Sequence, residues 1–133
     1  MVEVPDASVA IKWFVDEPGR EKALSLLAQI ISDPTRFCVP ELFYFELIHI
    51  FNRLVRKPSQ TQKRLLETVV DLGMTRFAMT GNLCAKISLL QGLGLSGYDA
   101  AYVAVAQEVS GVWITFDTKA HRKIASLKVS RCL

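Results

Sequence analysis

The most constraining feature of this chain is a short apolar run that ends in an acid and passes at once into a helical pattern. Residues 2–5 read as a strand, Asp6-Ala7-Ser8 follows, and Val9, Ala10, Trp13 and Phe14 recur at helical spacing. The same succession returns near the C-terminus, where an apolar strand over residues 112–116 meets Asp117 and then a helical segment over residues 118–124. In an open α/β sheet, ligands sit beyond the carboxyl ends of the strands. Both acids therefore stand at the mouth of a site before any other residue is considered.

Between these two junctions the pattern keeps alternating. Helices are predicted over residues 7–14 and 21–31, where Ala23, Leu24, Leu27, Ile30 and Ile31 share a face. A strand is predicted over 36–39, and Pro40 suits the first turn of a long helix over 41–56. That helix is apolar around most of its circumference, with Glu46, His49 and Arg53 as a narrow polar stripe, which predicts burial on two sides. Lys57-Pro58 should stop it. Ser59, with Gln62 three residues on, should cap a helix running to about Leu72. A strand over 76–79, a helix over 80–91, a glycine-punctuated loop and a helix over 98–109 rich in alanine follow, and an edge strand is expected over 127–129. Strands alternating with helices imply an α/β fold, a three-layer arrangement with a mostly parallel central sheet.

With 133 residues and no repeat or linker, one domain over 1–133 is expected. Half the residues are apolar, yet no run reaches the roughly 18 residues of a membrane span. No secretory pattern opens the sequence, so a cytoplasmic protein is expected. The surplus of apolar residues points instead to a partner surface. Cys38, Cys84 and Cys132 fit neither a disulfide framework nor a zinc spacing. A net charge of +3 is compatible with nucleic acid without arguing for it.

Four acids carry the chemistry. Asp6 and Asp117 are also good helix caps, and Ser96-Gly97-Tyr98-Asp99 resembles a capping box, so each of these three has a purely structural explanation. No cap explains Glu46, which lies mid-helix at the edge of the core: it is either a partly exposed surface glutamate or a buried carboxylate, costly unless a cation pairs with it. Three acids at strand-to-helix junctions could converge with Glu46 on one face. Two carboxylates about 4 Å apart repel by roughly 4 kcal/mol at an effective dielectric of 20. A gathering of four thus calls for a cation, and oxygen-only donors select Mg²⁺ or Mn²⁺. Such a site suits phosphodiester hydrolysis by an activated water.

Four blocks, Val4-Pro5-Asp6-Ala7-Ser8-Val9-Ala10, Pro40-Glu41-Leu42 with Glu46, Tyr98-Asp99-Ala100-Ala101-Tyr102 and Ile114-Thr115-Phe116-Asp117, resemble in order those of the PIN domain, most closely the small VapC-like toxins. The resemblance covers essentially the whole chain. It implies a Rossmann-like fold, a Mg²⁺- or Mn²⁺-dependent endoribonuclease, and a metal site made by Asp6, Glu46, Asp99 and Asp117. It also implies supporting roles for Ser8 and Thr115 beside the metal, a homodimer, and a small antitoxin partner. One departure is His49, where the family often has asparagine three residues after the helical acid.

Lys119, Arg122 and Lys123 follow Asp117 directly and could hold RNA phosphates, or simply form a solvated face. Arg53, Arg56, Lys57, Lys63 and Arg64 offer a second basic patch with the same two readings. His49 is either a support for Glu46 or a packed side chain. A phosphoacceptor signalling domain would need adjacent acids after the first strand, which Pro5-Asp6-Ala7 lacks. A catalytically silent binding module and an RNA-processing nuclease outside a toxin system remain as alternatives.

Overall fold

The computed structural model describes residues 1–54 and 58–133, with residues 58 and 59 described by backbone alone. β1 (Glu3–Pro5) leads into α1 (Ala7–Phe14) and α2 (Arg20–Ser32), and a 3₁₀ turn at Pro34–Arg36 precedes β2 (Cys38–Pro40). Next come α3 (Leu42–Leu54), α4 (Pro58–Val70) and β3 (Thr75–Phe77). Then α5 (Gly81–Gln91), α6 (Gly97–Glu108), β4 (Val112–Thr115), α7 (Thr118–Ile124) and β5 (Ser130–Cys132) complete the chain. The fold is α/β, with parallel strands flanked by helices, as the alternation predicts.

All three strand pairings are parallel: β1 with β4, β4 with β5, and β2 with β3. A parallel bridge between Glu3 and Phe37 joins the two ladders, giving the spatial order β3-β2-β1-β4-β5. The chain builds β2 and β3 on one side of β1, then crosses to build β4 and β5 on the other. The direction of winding therefore changes between β1 and β4, and a crevice opens at their carboxyl ends. Asp6 and Asp117 leave the sheet at that crevice.

The strands are short but deeply buried: Val4, Val39, Trp113 and Ile114 have no exposed surface. They are covered by α6, which packs against β1, β2, β4 and α5. Every residue of α6 from Ala100 to Ala106 is buried, and its alanines let the backbone approach the sheet closely. Close approach also explains Gly111: a Cβ there would lie 2.3 Å from the Val2 carbonyl oxygen.

Besides Pro40, which ends β2 instead of opening α3, four sequence expectations change. The second strand begins later, because Pro34 starts a 3₁₀ turn in which Phe37 N–H donates to the Pro34 carbonyl. The last strand lies at 130–132 rather than 127–129, because a second 3₁₀ turn and a left-handed Lys128 (φ 55°) occupy the approach to it. No strand precedes Asp99: α5 and α6 are joined by a loop alone, so only two of the three expected strand-to-helix junctions exist. The fourth is α3, which within this chain is buried on one side only, through Phe43, Tyr44, Leu47 and Phe51. Phe45, Ile48 and Leu54 are exposed, Phe45 by 68 %. The end expected for this helix at residue 56, its stop at Lys57 and the Ser59 cap lie outside the described residues or side chains.

A candidate metal-binding nuclease site

Asp6 is built first, by local chemistry. It caps α1, its Oδ1 accepting the Ser8 N–H at 2.9 Å and the Ser8 hydroxyl at 2.5 Å. Its other oxygen, Oδ2, accepts the Trp113 indole N–H at 3.0 Å. Asp117 caps α7 in the same way, accepting the Ala120 N–H at 2.9 Å. The capping explanation of both acids is thus correct, and it leaves further oxygen lone pairs on each. Ser96 caps α6 by accepting the Asp99 N–H at 3.0 Å, which places Asp99 in the first turn, at the positive end of the helix dipole.

Ser8 and Thr115 stitch the two junctions together. The Ser8 hydroxyl donates to Asp6 and accepts the Phe116 N–H at 3.0 Å, while Thr115 Oγ1 accepts the Asp117 N–H at 3.0 Å. The two hydroxyls stand 3.4 Å apart. One serine therefore links the loop that carries Asp6 to the loop that carries Asp117.

Glu46 comes from the middle of α3 and is half-buried. Its Oε1 accepts the Tyr102 hydroxyl at 2.6 Å, from the turn of α6 after Asp99. This partner is absent from the sequence reading, although Tyr102 follows Asp99 by three residues and so lies on the same helix face. His49 is exposed and makes no hydrogen bond to Glu46 among the described residues; it lines an apolar groove beside Glu46 with Leu42, Phe45, Ile50 and Tyr98. Trp113 is the other partner missing from the sequence reading. It and Thr115 point to one face of β4, as Val4 and Asp6 do on β1, and Val4 pairs with Trp113 in register.

Electrostatics joins the four acids. Burial raises the Asp6 carboxyl above its ordinary value, against hydrogen bonds led by Ser8 that lower it. Glu46 is raised by burial and by the charges of Asp6 and Asp99, and the Tyr102 hydrogen bond works in the opposite direction. Asp99 is raised by burial and by the charge of Asp117, with Ser96 and Lys123 pulling back. Glu46 thus feels the charges of Asp6 and Asp99, and Asp99 feels the charge of Asp117.

Whether this set fits a divalent ion turns on two observations. No group of three or more Asp, Glu, His or Cys side chains stands close enough to cage an ion among the described residues. The donors are nevertheless oxygen alone, half or fully buried in part, and mutually repelled. Mg²⁺ keeps most of its waters and is ordinarily held by one or two carboxylates, so it needs no complete cage. The residues present fit a largely hydrated hard cation held at this cluster.

Lys119, Arg122 and Lys123 are exposed on α7 and form no ion pair among the described residues. Lys123 donates to the Gly94 carbonyl at 2.8 Å, which holds it near Asp99. Arg53 is exposed on α3, while Arg56 and Lys57 lie outside the described residues. Lys12 belongs to the core edge: it pairs with Glu17 at 2.9 Å and sits 4.6 Å from the Phe116 ring centroid.

The fold is similar to solved structures of low sequence identity. A Rickettsia felis VapBC2 structure, bound to a DNA fragment from its promoter, matches with a TM-score of 0.74 at 12 % identity, covering 100 % of this chain and 99 % of that one. A toxin–antitoxin complex from Klebsiella pneumoniae matches at 0.71 and 16 %, covering 97 % and 95 %. FitAcB from Neisseria gonorrhoeae matches at 0.66 and 15 %, covering 93 % and 94 %. Comparison with curated protein sequences finds no match. The PIN domain family model matches residues 4–127, a span that holds all four acids and the crevice between β1 and β4, and the chain belongs to the PIN domain family.

Proposed function

We propose that this chain is a Mg²⁺- or Mn²⁺-dependent endoribonuclease and the toxin of a toxin–antitoxin pair. The observation that carries the reading is the Ser8 hydroxyl joining the Asp6 and Asp117 loops at the β1/β4 crevice, with Glu46, bonded to Tyr102, close enough to feel the charges of Asp6 and Asp99. Such a cluster is unfavourable by itself and becomes favourable when a cation joins it. Asp6, Glu46, Asp99 and Asp117 would hold the ion. When bound, it supplies charge neutralisation at the phosphate and lowers the pKa of an attacking water.

The chain's own residues set the rest. Tyr102 fixes the orientation of Glu46, and Ser8 keeps the Asp6 and Asp117 loops in register. Lys119, Arg122 and Lys123 hold RNA phosphates at the rim without reading sequence, and Arg53 extends the basic surface along α3. The exposed Phe45, Ile48 and Leu54 of α3, with α4 beside them, are the surface for the antitoxin and for a homodimer. The fold shared with a toxin–antitoxin complex from Klebsiella pneumoniae supports this choice of partner. No helix among the described residues is long and apolar enough to cross a membrane, and three free cysteines suit the reducing cytoplasm.

The test is cleavage of a structured RNA with Mg²⁺, with Mn²⁺ and with EDTA, for wild type, Asp6→Asn and Asp99→Asn. Metal-dependent cleavage lost in both variants supports the reading. Variants that cut as well as wild type would place the chemistry elsewhere. A second reading, a PIN-fold module that binds without cutting, is favoured by the lack of a three-carboxylate cage among the described residues. RNA binding without cleavage under every metal condition would select it.

A further inference from the structure

We infer that Trp113 is a positioning residue for the metal site, presenting a single oxygen of Asp6 to the ion. This rests on the metal-dependent reading above. Trp113 is wholly buried, and its only hydrogen-bond acceptor among the described residues is Asp6 Oδ2, at 3.0 Å. A buried indole N–H needs an acceptor, whereas a phenylalanine or leucine would fill a strand core without one. The tryptophan therefore matches the carboxylate rather than the space.

The donors around Asp6 divide unequally. Ser8 N–H and Ser8 Oγ both donate to Oδ1, and Trp113 alone donates to Oδ2. A carboxylate offers about four acceptor positions, two on each oxygen. These bonds load Oδ1 more heavily than Oδ2, and the Thr115 hydroxyl is a further donor to the carboxylate. The Asp6 N–H also donates to the Ile114 carbonyl at 3.2 Å, so β4 anchors the residue by backbone as well as by side chain. Held at both oxygens, the Asp6 carboxylate is fixed in orientation, and Oδ2, the less heavily bonded by side chain, is the oxygen it offers. Groups that hold a ligand in this way typically contribute ten- to hundredfold in metal affinity.

The chain carries two tryptophans, which supplies an internal control. Trp13 donates its indole N–H at 3.0 Å to the Ala23 carbonyl, not to a carboxylate of the acid cluster. In ¹H–¹⁵N spectra of the intact chain titrated with Mg²⁺, the Trp113 indole resonance should move with the same midpoint as the backbone amides of Asp6 and Asp99. The Trp13 indole should stay in place. Trp113→Phe, which keeps a buried ring and removes the donor, should weaken Mg²⁺ binding by about ten- to hundredfold. Cleavage at saturating Mg²⁺ should return to within a few-fold of wild type. Trp13→Phe, the same loss of an indole donor at the other tryptophan, should leave Mg²⁺ affinity unchanged.

Amides that move while the Trp113 indole stays still would overturn the inference and leave the metal reading standing. Equal loss of affinity in Trp13→Phe would also overturn it, by assigning the effect to a general loss of core packing. No Mg²⁺-dependent change anywhere would overturn both together. The indole titration is made on wild type, so the outcome stands even where Trp113→Phe fails to fold.

Discussion

Tyr102→Phe removes one oxygen and little else. The ring stays in the core, where Tyr102 is 2 % exposed, and the 2.6 Å bond to Glu46 Oε1 is lost. A hydrogen bond to a charged acceptor contributes about 1.5–3 kcal/mol when both partners are buried. Glu46 is only half-buried, so water replaces part of the loss, and a cost of about 1 kcal/mol is expected. For a domain of this size that is a fall in Tm of roughly 3–5 °C, readable by calorimetry in EDTA. Freed from its partner, Glu46 should also lose its fixed direction, weakening Mn²⁺ binding by about tenfold. Glu46→Gln separates charge from geometry. Glutamine still accepts from Tyr102 but removes the repulsion with Asp6 and Asp99, so the metal-free Tm at pH 7 should rise while Mn²⁺ affinity falls. In the double variant the two changes should be non-additive, because they share one contact. The reasoning is refuted if Tyr102→Phe alters neither Tm nor Mn²⁺ affinity, or if Glu46→Gln lowers the metal-free Tm.

The pH dependence has a definite sign. Asp6, Glu46 and Asp99 all titrate higher folded than unfolded, so the native state holds more protons just above the ordinary carboxyl range. Stability from these groups therefore falls as pH rises through that window. In EDTA, melting should move up as pH drops from 7 toward mild acidity, and saturating Mn²⁺ should flatten the slope; an unchanged slope would count against a shared cation site. Ser8→Ala should cost about 1–3 kcal/mol, because it leaves the Phe116 N–H without its acceptor and removes one of the donors to Asp6, and urea unfolding will read it. Gly111→Ala should destabilise by at least 2 kcal/mol or shift the start of β4, since its Cβ has no space against the Val2 carbonyl. Phe45→Lys should abolish any self-association seen by light scattering while sparing Tm, because Phe45 adds little to the core of the single chain.

Much of this protein could be read from short stretches of sequence. Helix periodicity, the caps at Asp6, Ser96 and Asp117, and the alanine-rich face of α6 are signals that act over three or four residues. They are written locally, because backbone hydrogen bonds and first-turn caps close locally. The identity of the four acids was legible for the same reason: two end strands, one opens a helix, and one lies mid-helix where no cap explains it. What the residues cannot state alone is which partner each acid meets. Glu46 finds Tyr102 across 56 residues, and Asp6 finds Trp113 across 107. Those pairs depend on the parallel register that sets Val4 beside Trp113, and a shift of one residue would turn the indole to the other face. The one-sided burial of α3 is likewise a tertiary outcome. An apolar helix surface is covered only as far as another element reaches it, and α4, which meets α3 at Ile48, leaves Phe45 and Leu54 exposed among the described residues.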